Sequence, residues 1–346
     1  MHMADALLSP AVGATMWAGS MAAIGYSSKK LKDNIDNRTI PLMGVLGAFI
    51  FAAMMINFTI PGTGSSGHLG GGMTLAVILG PYAAFVVMAS VLTVQALFFA
   101  DGGLLALGCN IWNLGIYPCF LAYPLIYKPI AGDGTSTQRI SIAAMLSVLA
   151  ALQLGAFSVV LETLLSGKSE LPFGTFVLVM QPIHLAIGLV EGFVTAGIIT
   201  YVQKARPEIL QCSGASRTLD AGISVKNVMI VFLILAVITG GALSWLASTQ
   251  PDGLEWSIEK VTGKGELTGQ QQGIAPVLKS IQEKTAFLPD YNFKQAVQES
   301  KKEKAPVWPG IEAGTSVAGI VGGGIVLGFI FFIGFGIRFF KSRNKP

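Results

Sequence analysis

Three nitrogen donors lie within the first two residues of this 346-residue chain. The α-amine of Met1, the amide nitrogen of His2 and the His2 imidazole Nδ1 can close two fused chelate rings around one ion, of about five and six members, a set that suits a planar late transition metal. A fourth donor must come from elsewhere. Only two further histidines exist, His68 and His184. His68 sits in the run Pro-Gly-Thr-Gly-Ser-Ser-Gly-His-Leu-Gly-Gly-Gly over 61–72, whose small residues let backbone fold close to a bound ion. The expected chemistry is a square-planar site of four nitrogens for a divalent metal, with Met1, His2 and His68 as ligands. Asp5, the one charge in the lead-in to Pro10, is placed to orient an imidazole or amine from behind.

Hydrophobic residues make up 52% of the chain and charged residues 12%, a balance that soluble domains do not sustain. The fold class expected is an all-α polytopic membrane protein. Cys109, Cys119 and Cys212 show no paired spacing, which argues against a disulfide framework or a thiolate metal site. The first basic residue is Lys29, so the start of the chain lacks the basic opening of a signal peptide. A bulky His2 also disfavours removal of Met1, and the α-amine is expected to stay free.

Apolar spans run over 11–26, 40–60, 104–127, 140–165, 173–202, 228–247 and 317–340. The stretch 69–103 is too long for one crossing at 1.5 Å per residue, and Gly80-Pro81 divides it into a short and a full helix. This predicts a seven-helix bundle over 1–225 and a two-span unit over 226–346, the latter built around an external segment at 248–316. Lys29, Lys30, Lys32 and Arg38, then Lys128 and Arg139, then Lys204, Arg206, Arg217 and Lys226, then the tail, fall on one side if the short helix counts as a crossing. Of the short connections on the other side, only Lys168 adds a positive charge. Positive residues favour the cytoplasmic face, so the N-terminus and His68 are expected outside and the C-terminus inside.

His184 and Glu191 lie seven residues apart within one span, on one helix face. Buried ionisable groups in a membrane are costly and point to the bundle interior. They are read either as a pair behind the ligands or along the metal's path, or as a pair that fixes helix packing. Asn57, Gln95, Asp101, Asn110, Asn113 and Glu162 gather toward the same outer half, to hold the site loops or join helices. Gly62-x-Gly64-x-x-Gly67 follows a membrane span without any βαβ context, and Glu162 stands where a phosphate-binding loop ending in Gly167-Lys168-Ser169 needs glycine. The chain therefore binds no nucleotide by either route. Ala14, Ala18 and Ala22 form a small-residue ridge, for packing inside the chain or against a membrane partner. Gly324-x-x-x-Gly328 carries the same two readings.

Four segments resemble the marked regions of the metal-binding component of energy-coupling-factor transporters for nickel and cobalt. They are the opening Met-His-Met-Ala-Asp-Ala-Leu-Leu-Ser-Pro, the His68 loop, Val-Gln-Ala-Leu-Phe-Phe-Ala-Asp-Gly-Gly-Leu at 94–104, and His-Leu-Ala-Ile-Gly-Leu-Val-Glu-Gly at 184–192. The C-terminal unit, with Pro-Asp-Gly-Leu-Glu at 251–255, is similar to the small two-span component often fused to it. The resemblance implies a substrate-capturing subunit in a bacterial or archaeal cell membrane. Its partners would be a scaffold transmembrane subunit and ATPase subunits, and its metal ligands Met1, His2 and His68. No cofactor is expected. A planar site with an amide nitrogen favours nickel(II) as the transported ion, with cobalt(II) second. A membrane metalloenzyme is the rival of another class, but no His-Glu-x-x-His run occurs.

Overall fold

The computed structural model describes all residues except 1, 35–37, 215–224, 266, 268, 270–272, 295–311 and 344–346. Among them are four long apolar helices and two shorter ones, the architecture of an all-α polytopic membrane protein. The first helix, α1 (Pro10–Asn34), leaves Ala14, Ala18 and Ala22 exposed, so the small-residue ridge is not used for packing inside the chain. By contrast α2 (Thr39–Met54) is buried along nearly its whole length. A two-stranded antiparallel hairpin, β1 (Phe58–Ile60) with β2 (Ser65–Gly67), then leads into the His68 loop.

The Gly80-Pro81 break falls where expected, between α3 (Gly72–Leu79) and α4 (Pro81–Phe99). Eight residues of α3 rise only ~12 Å, far short of a bilayer core about 30 Å thick. Yet Tyr82, just after it, lies edge-on to Tyr26 with ring centroids 5.8 Å apart, toward the end of α1 remote from His2. Loop and short helix together therefore carry the chain from the site end of the bundle to the opposite end. From there α4 returns and ends at Ala100, whose left-handed φ of 55° turns Asp101 toward the N-terminal arm.

Next, α5 (Leu107–Ile111) continues as a wide-pitch helix over Trp112–Tyr127 and then as α6 (Lys128–Ala131). Pro118 and Pro124 lie inside that stretch. Proline lacks an amide donor and crowds the preceding turn, which accounts for the loosened winding. Two long helices, α7 (Thr137–Leu165) and α8 (Phe173–Ala205), pair along the bundle, and a short α9 (Pro207–Gly214) follows.

The two C-terminal spans, α10 (Lys226–Gly241) and α13 (Ala313–Arg343), pack on α2. Phe232 meets Phe49 at 5.2 Å, and a Cβ at Gly47 would lie 2.3 Å from Ile330. The pair cross at Gly240 and Gly319, where a Cβ on Gly319 would lie 2.4 Å from the Gly240 carbonyl oxygen. Gly324 and Gly328, by contrast, face open space. Phe51, Phe232 and Ile330 belong to the same apolar core as Met3 and Leu46, so the accessory spans extend one core rather than build another. Between them the connecting segment folds into α11 (Gly253–Thr262), α12 (Ile274–Thr285) and a turn at Pro289–Tyr291.

Candidate metal centre

The N-terminal arm enters the bundle and is held there by its main chain. Met3 is fully buried, as are Leu7 and Leu8. The Met3 amide donates to Asn110 Oδ1 at 2.8 Å, and Asn110 Nδ2 donates back to the Met3 carbonyl at 3.3 Å. Gly103 N adds a third bond to that carbonyl at 2.9 Å. A side-chain amide on α5 thus pairs with the arm as a neighbouring strand would. Asp5 turns away from the histidines: its Oδ1 accepts from Ala106 N at 3.0 Å and pins the arm to the loop before α5.

The two histidines expected as ligands are brought together. His2 and His68 lie ring against ring, centroids 5.0 Å apart and planes inclined by 6°. The carboxylate beside His2 is Asp101, whose Oδ1 is 3.1 Å from Nδ1, while the His2 Nε2 is buried without a partner among the described residues. Asp101 also accepts a short hydrogen bond from the Tyr291 hydroxyl, to which Gln95 Nε2 donates at 3.1 Å. Burial alone would raise the Asp101 pKa, but His2 and the Tyr291 hydroxyl hold it down at about 2. Burial drives His68 the other way, to about 3, so its ring is neutral at any physiological pH. Met1 lies outside the described residues.

Of the pair on α8, Glu191 holds the His68 loop and His184 bonds within its own helix. The two carboxyl oxygens of Glu191 accept from Gly70 N and Gly71 N, each at 2.8 Å. Gly71 takes a positive φ of 73°, and a Cβ on Gly70 would sit 3.2 Å from Glu191 Oε2. Glycine is therefore what lets the loop backbone close on the carboxyl group. About two turns further back along α8, His184 binds the Met180 carbonyl through Nδ1 at 2.8 Å and is almost wholly buried. Among the polar residues, Asp101 and Asn110 hold the site, whereas Asn113 donates to Glu162 at 3.0 Å and joins helices.

The segment between α10 and α13 docks on both sides of the centre. Ser66 N donates to the Pro251 carbonyl at 2.8 Å, Ser66 Oγ to Gln250 O at 2.8 Å, and Trp256 Nε1 to Thr63 O at 3.0 Å. On the other side Gln282 Nε2 donates to the carbonyls of Ala96 and Gly102. Asp252 caps α11 in a reciprocal box with Glu255, a signal legible as Asp-x-x-Glu before an apolar helix. Its closeness to His68, and that of Tyr291 to Asp101, had no local signal. The result is a cavity of ≈ 960 Å³ whose walls carry His2, His68, Asp101, Asp252, Glu255 and Lys279. Carboxylates outnumber ammonium groups there, which attracts divalent cations.

Among the described residues, no three His, Cys, Asp or Glu side chains converge as a metal-holding group. The expected four-nitrogen set draws two of its donors from main chain and needs only the two imidazoles. That Nδ1 of His2 faces Asp101 means its ring must leave the carboxylate to chelate through that atom.

Residues 2–209 match the model of a family described as the cobalt uptake substrate-specific transmembrane region, and residues 226–339 match the PDGLE domain. A putative fused nickel transport protein NikMN of Archaeoglobus fulgidus is 32% identical, over 94% of this chain and 96% of that protein. A fused nickel transport protein NikMN of Rhodobacter capsulatus is 30% identical over 80% and 82%. A cobalt transport protein CbiM of Geobacter sulfurreducens is 26% identical over 68% of each. The crystal structure of a transition metal transporter superposes with a TM-score of 0.53 at 32% identity, covering 61% of this chain and 96% of that one. These relatives are transport proteins, not enzymes.

Proposed function

The chain belongs to the family described as the cobalt uptake substrate-specific transmembrane region, and on that premise we propose that it is the metal-capturing subunit of an ATP-driven nickel importer. The observation that carries the reading is the buried arm that presses His2 against His68 under a carboxylate-rich cavity. In the reading, the Met1 amine, the His2 amide nitrogen and Nδ1, and a His68 ring nitrogen hold the ion in a plane. Asp101 keeps the His2 ring oriented until the ion arrives, and Glu191 fixes the loop that presents His68. Nickel is favoured over cobalt because the two fused relatives compared along most of their length are named nickel proteins, and because an amide nitrogen donor suits a planar ion.

The N-terminus and the centre face outward, as the lysine and arginine distribution supports. Energy comes from partner ATPases through a scaffold subunit. The exposed ridge Ala14, Ala18 and Ala22 of α1 is a suitable docking face, since small side chains allow backbones to approach. Residues 226–346 act as an accessory unit whose outer segment walls the cavity.

Nickel titration of the full chain with its native N-terminus, beside a form bearing one extra residue before Met1, tests this. The extension should abolish tight binding while the far-ultraviolet dichroism stays unchanged. Equal binding by both forms would refute the terminal amine as a ligand. Cobalt titrated in the same assay sets the preference between the two ions.

A further inference from the structure

We propose that His184 forms an inner metal position, one step below the outer chelate, with His68 shared between the two. The inference rests on the importer reading above and adds a second site to it. His184 Nδ1 lies 2.8 Å from the Met180 carbonyl oxygen, and a carbonyl can only accept, so Nδ1 carries the ring proton. Nε2 is then a bare lone pair. It is buried, in a side chain only 1% exposed, and has no hydrogen-bond partner among the described residues. Buried acceptors are nearly always paired, so an orphaned imidazole lone pair asks for a cation or a donor that arrives from outside.

The surroundings supply a place for one. His184, His68, Asp252 and Gly253 line a small cavity of ≈ 10 Å³, about the room of one water molecule or one dehydrated ion. A Cβ on Gly253 would lie 3.3 Å from His184 Cε1, so the bare backbone of that glycine is what leaves the ring space. Leu114, Leu152 and Ile187 make the apolar part of the wall. His68 is common to this cavity and to the large outer one, and it also carries the ring stacked on His2. An ion leaving the terminal chelate can therefore exchange onto His184 Nε2 while still bound to His68. Because Nε2 is already unprotonated, the exchange on this ring releases no proton. Asp252 supplies a carboxylate to offset the charge of the divalent ion in the cavity.

The test separates capture from passage. His184→Asn retains an N–H that can serve the Met180 carbonyl but deletes the Nε2 lone pair. In the full chain, nickel binding at the outer site should stay within about twofold of the unsubstituted protein, whereas nickel uptake by cells carrying the complete transporter should fall by about tenfold or more. His184→Gln, which restores an acceptor near the Nε2 position, should recover part of the uptake and guards against a folding defect in the first variant.

A direct readout uses the N-terminally extended protein, whose outer chelate is disabled. Copper(II) added to it should show hyperfine coupling to two imidazole nitrogens by electron paramagnetic resonance, and His184→Asn should remove one of the two. Undiminished uptake by His184→Asn, or the same copper signal with and without His184, would overturn the inner position. Failure of the unsubstituted chain to bind nickel at all would instead sink the importer reading, so the two are told apart.

Discussion

Asn110→Ala should release the N-terminal arm. The side-chain amide of Asn110 makes two of the bonds that hold Met3, one accepted from its amide and one donated to its carbonyl. Alanine removes both. The carbonyl keeps Gly103 N, but the buried Met3 amide is left without a partner. A neutral hydrogen bond contributes about 1 kcal/mol, and an orphaned buried donor costs about 1–3 kcal/mol, so docking of the arm weakens by about 2–4 kcal/mol. At 1.4 kcal/mol per decade, the docked-to-free ratio falls by about 30- to 700-fold. Because the arm carries His2, apparent nickel affinity falls by up to the same factor, scaled by the fraction still docked.

Isothermal titration with nickel reads the loss, and aminopeptidase digestion of the metal-free protein reads the exposed arm. Asn110→Asp keeps an acceptor for the Met3 amide and should fall between the two. Unchanged affinity together with unchanged protection would refute the argument and leave the buried Leu7 and Leu8 as the anchors of the arm.

Glu191→Gln replaces two acceptor oxygens with one, so either Gly70 N–H or Gly71 N–H faces an amide group, and nickel affinity should fall by about ten- to a hundredfold as the loop loosens. A nickel titration matching the unsubstituted protein would place control of the loop elsewhere. The metal-free protein should lose stability on acidification from about pH 6.5. Burial lowers His68 from 6.5 to about 3, so between those values the unfolded chain binds a proton that the folded one does not, and stability rises with pH. Asp101, held at about 2, stabilises the fold fully above its usual 3.8 and loses that contribution as the pH falls from 3.8 toward 2. Thermal unfolding across pH 4–8 should therefore flatten with His68→Gln, and an unaltered slope would contradict the burial argument.

Much of the scaffold is legible from local pattern. The break at Gly80-Pro81 appears where proline must start a helix, and the apolar spans over 140–165 and 173–202 nearly coincide with α7 and α8. The candidate ligands were legible for a different reason: with three histidines in the chain, one at position 2 and one in a glycine loop, few alternatives exist. Asp5, expected to orient an imidazole or amine, accepts from Ala106 N, a partner about a hundred residues away that its place beside the ligands in sequence does not announce.

What the sequence by itself determined is the membrane class, the run of the long apolar helices and which residues are candidates to chelate a planar ion. These follow from short-range rules, namely bilayer thickness, proline geometry and the bite of adjacent donors. Only the tertiary structure decided that Asp101 meets His2, that Asn110 grips Met3, that Glu191 holds Gly70 and Gly71, and that Pro251 and Tyr291 of the connecting segment close over the centre. Each of those contacts joins groups about a hundred residues or more apart in the chain. Such partners are chosen by how helices pack and by the need to satisfy every buried donor and acceptor, a condition on the whole fold that no local spacing records.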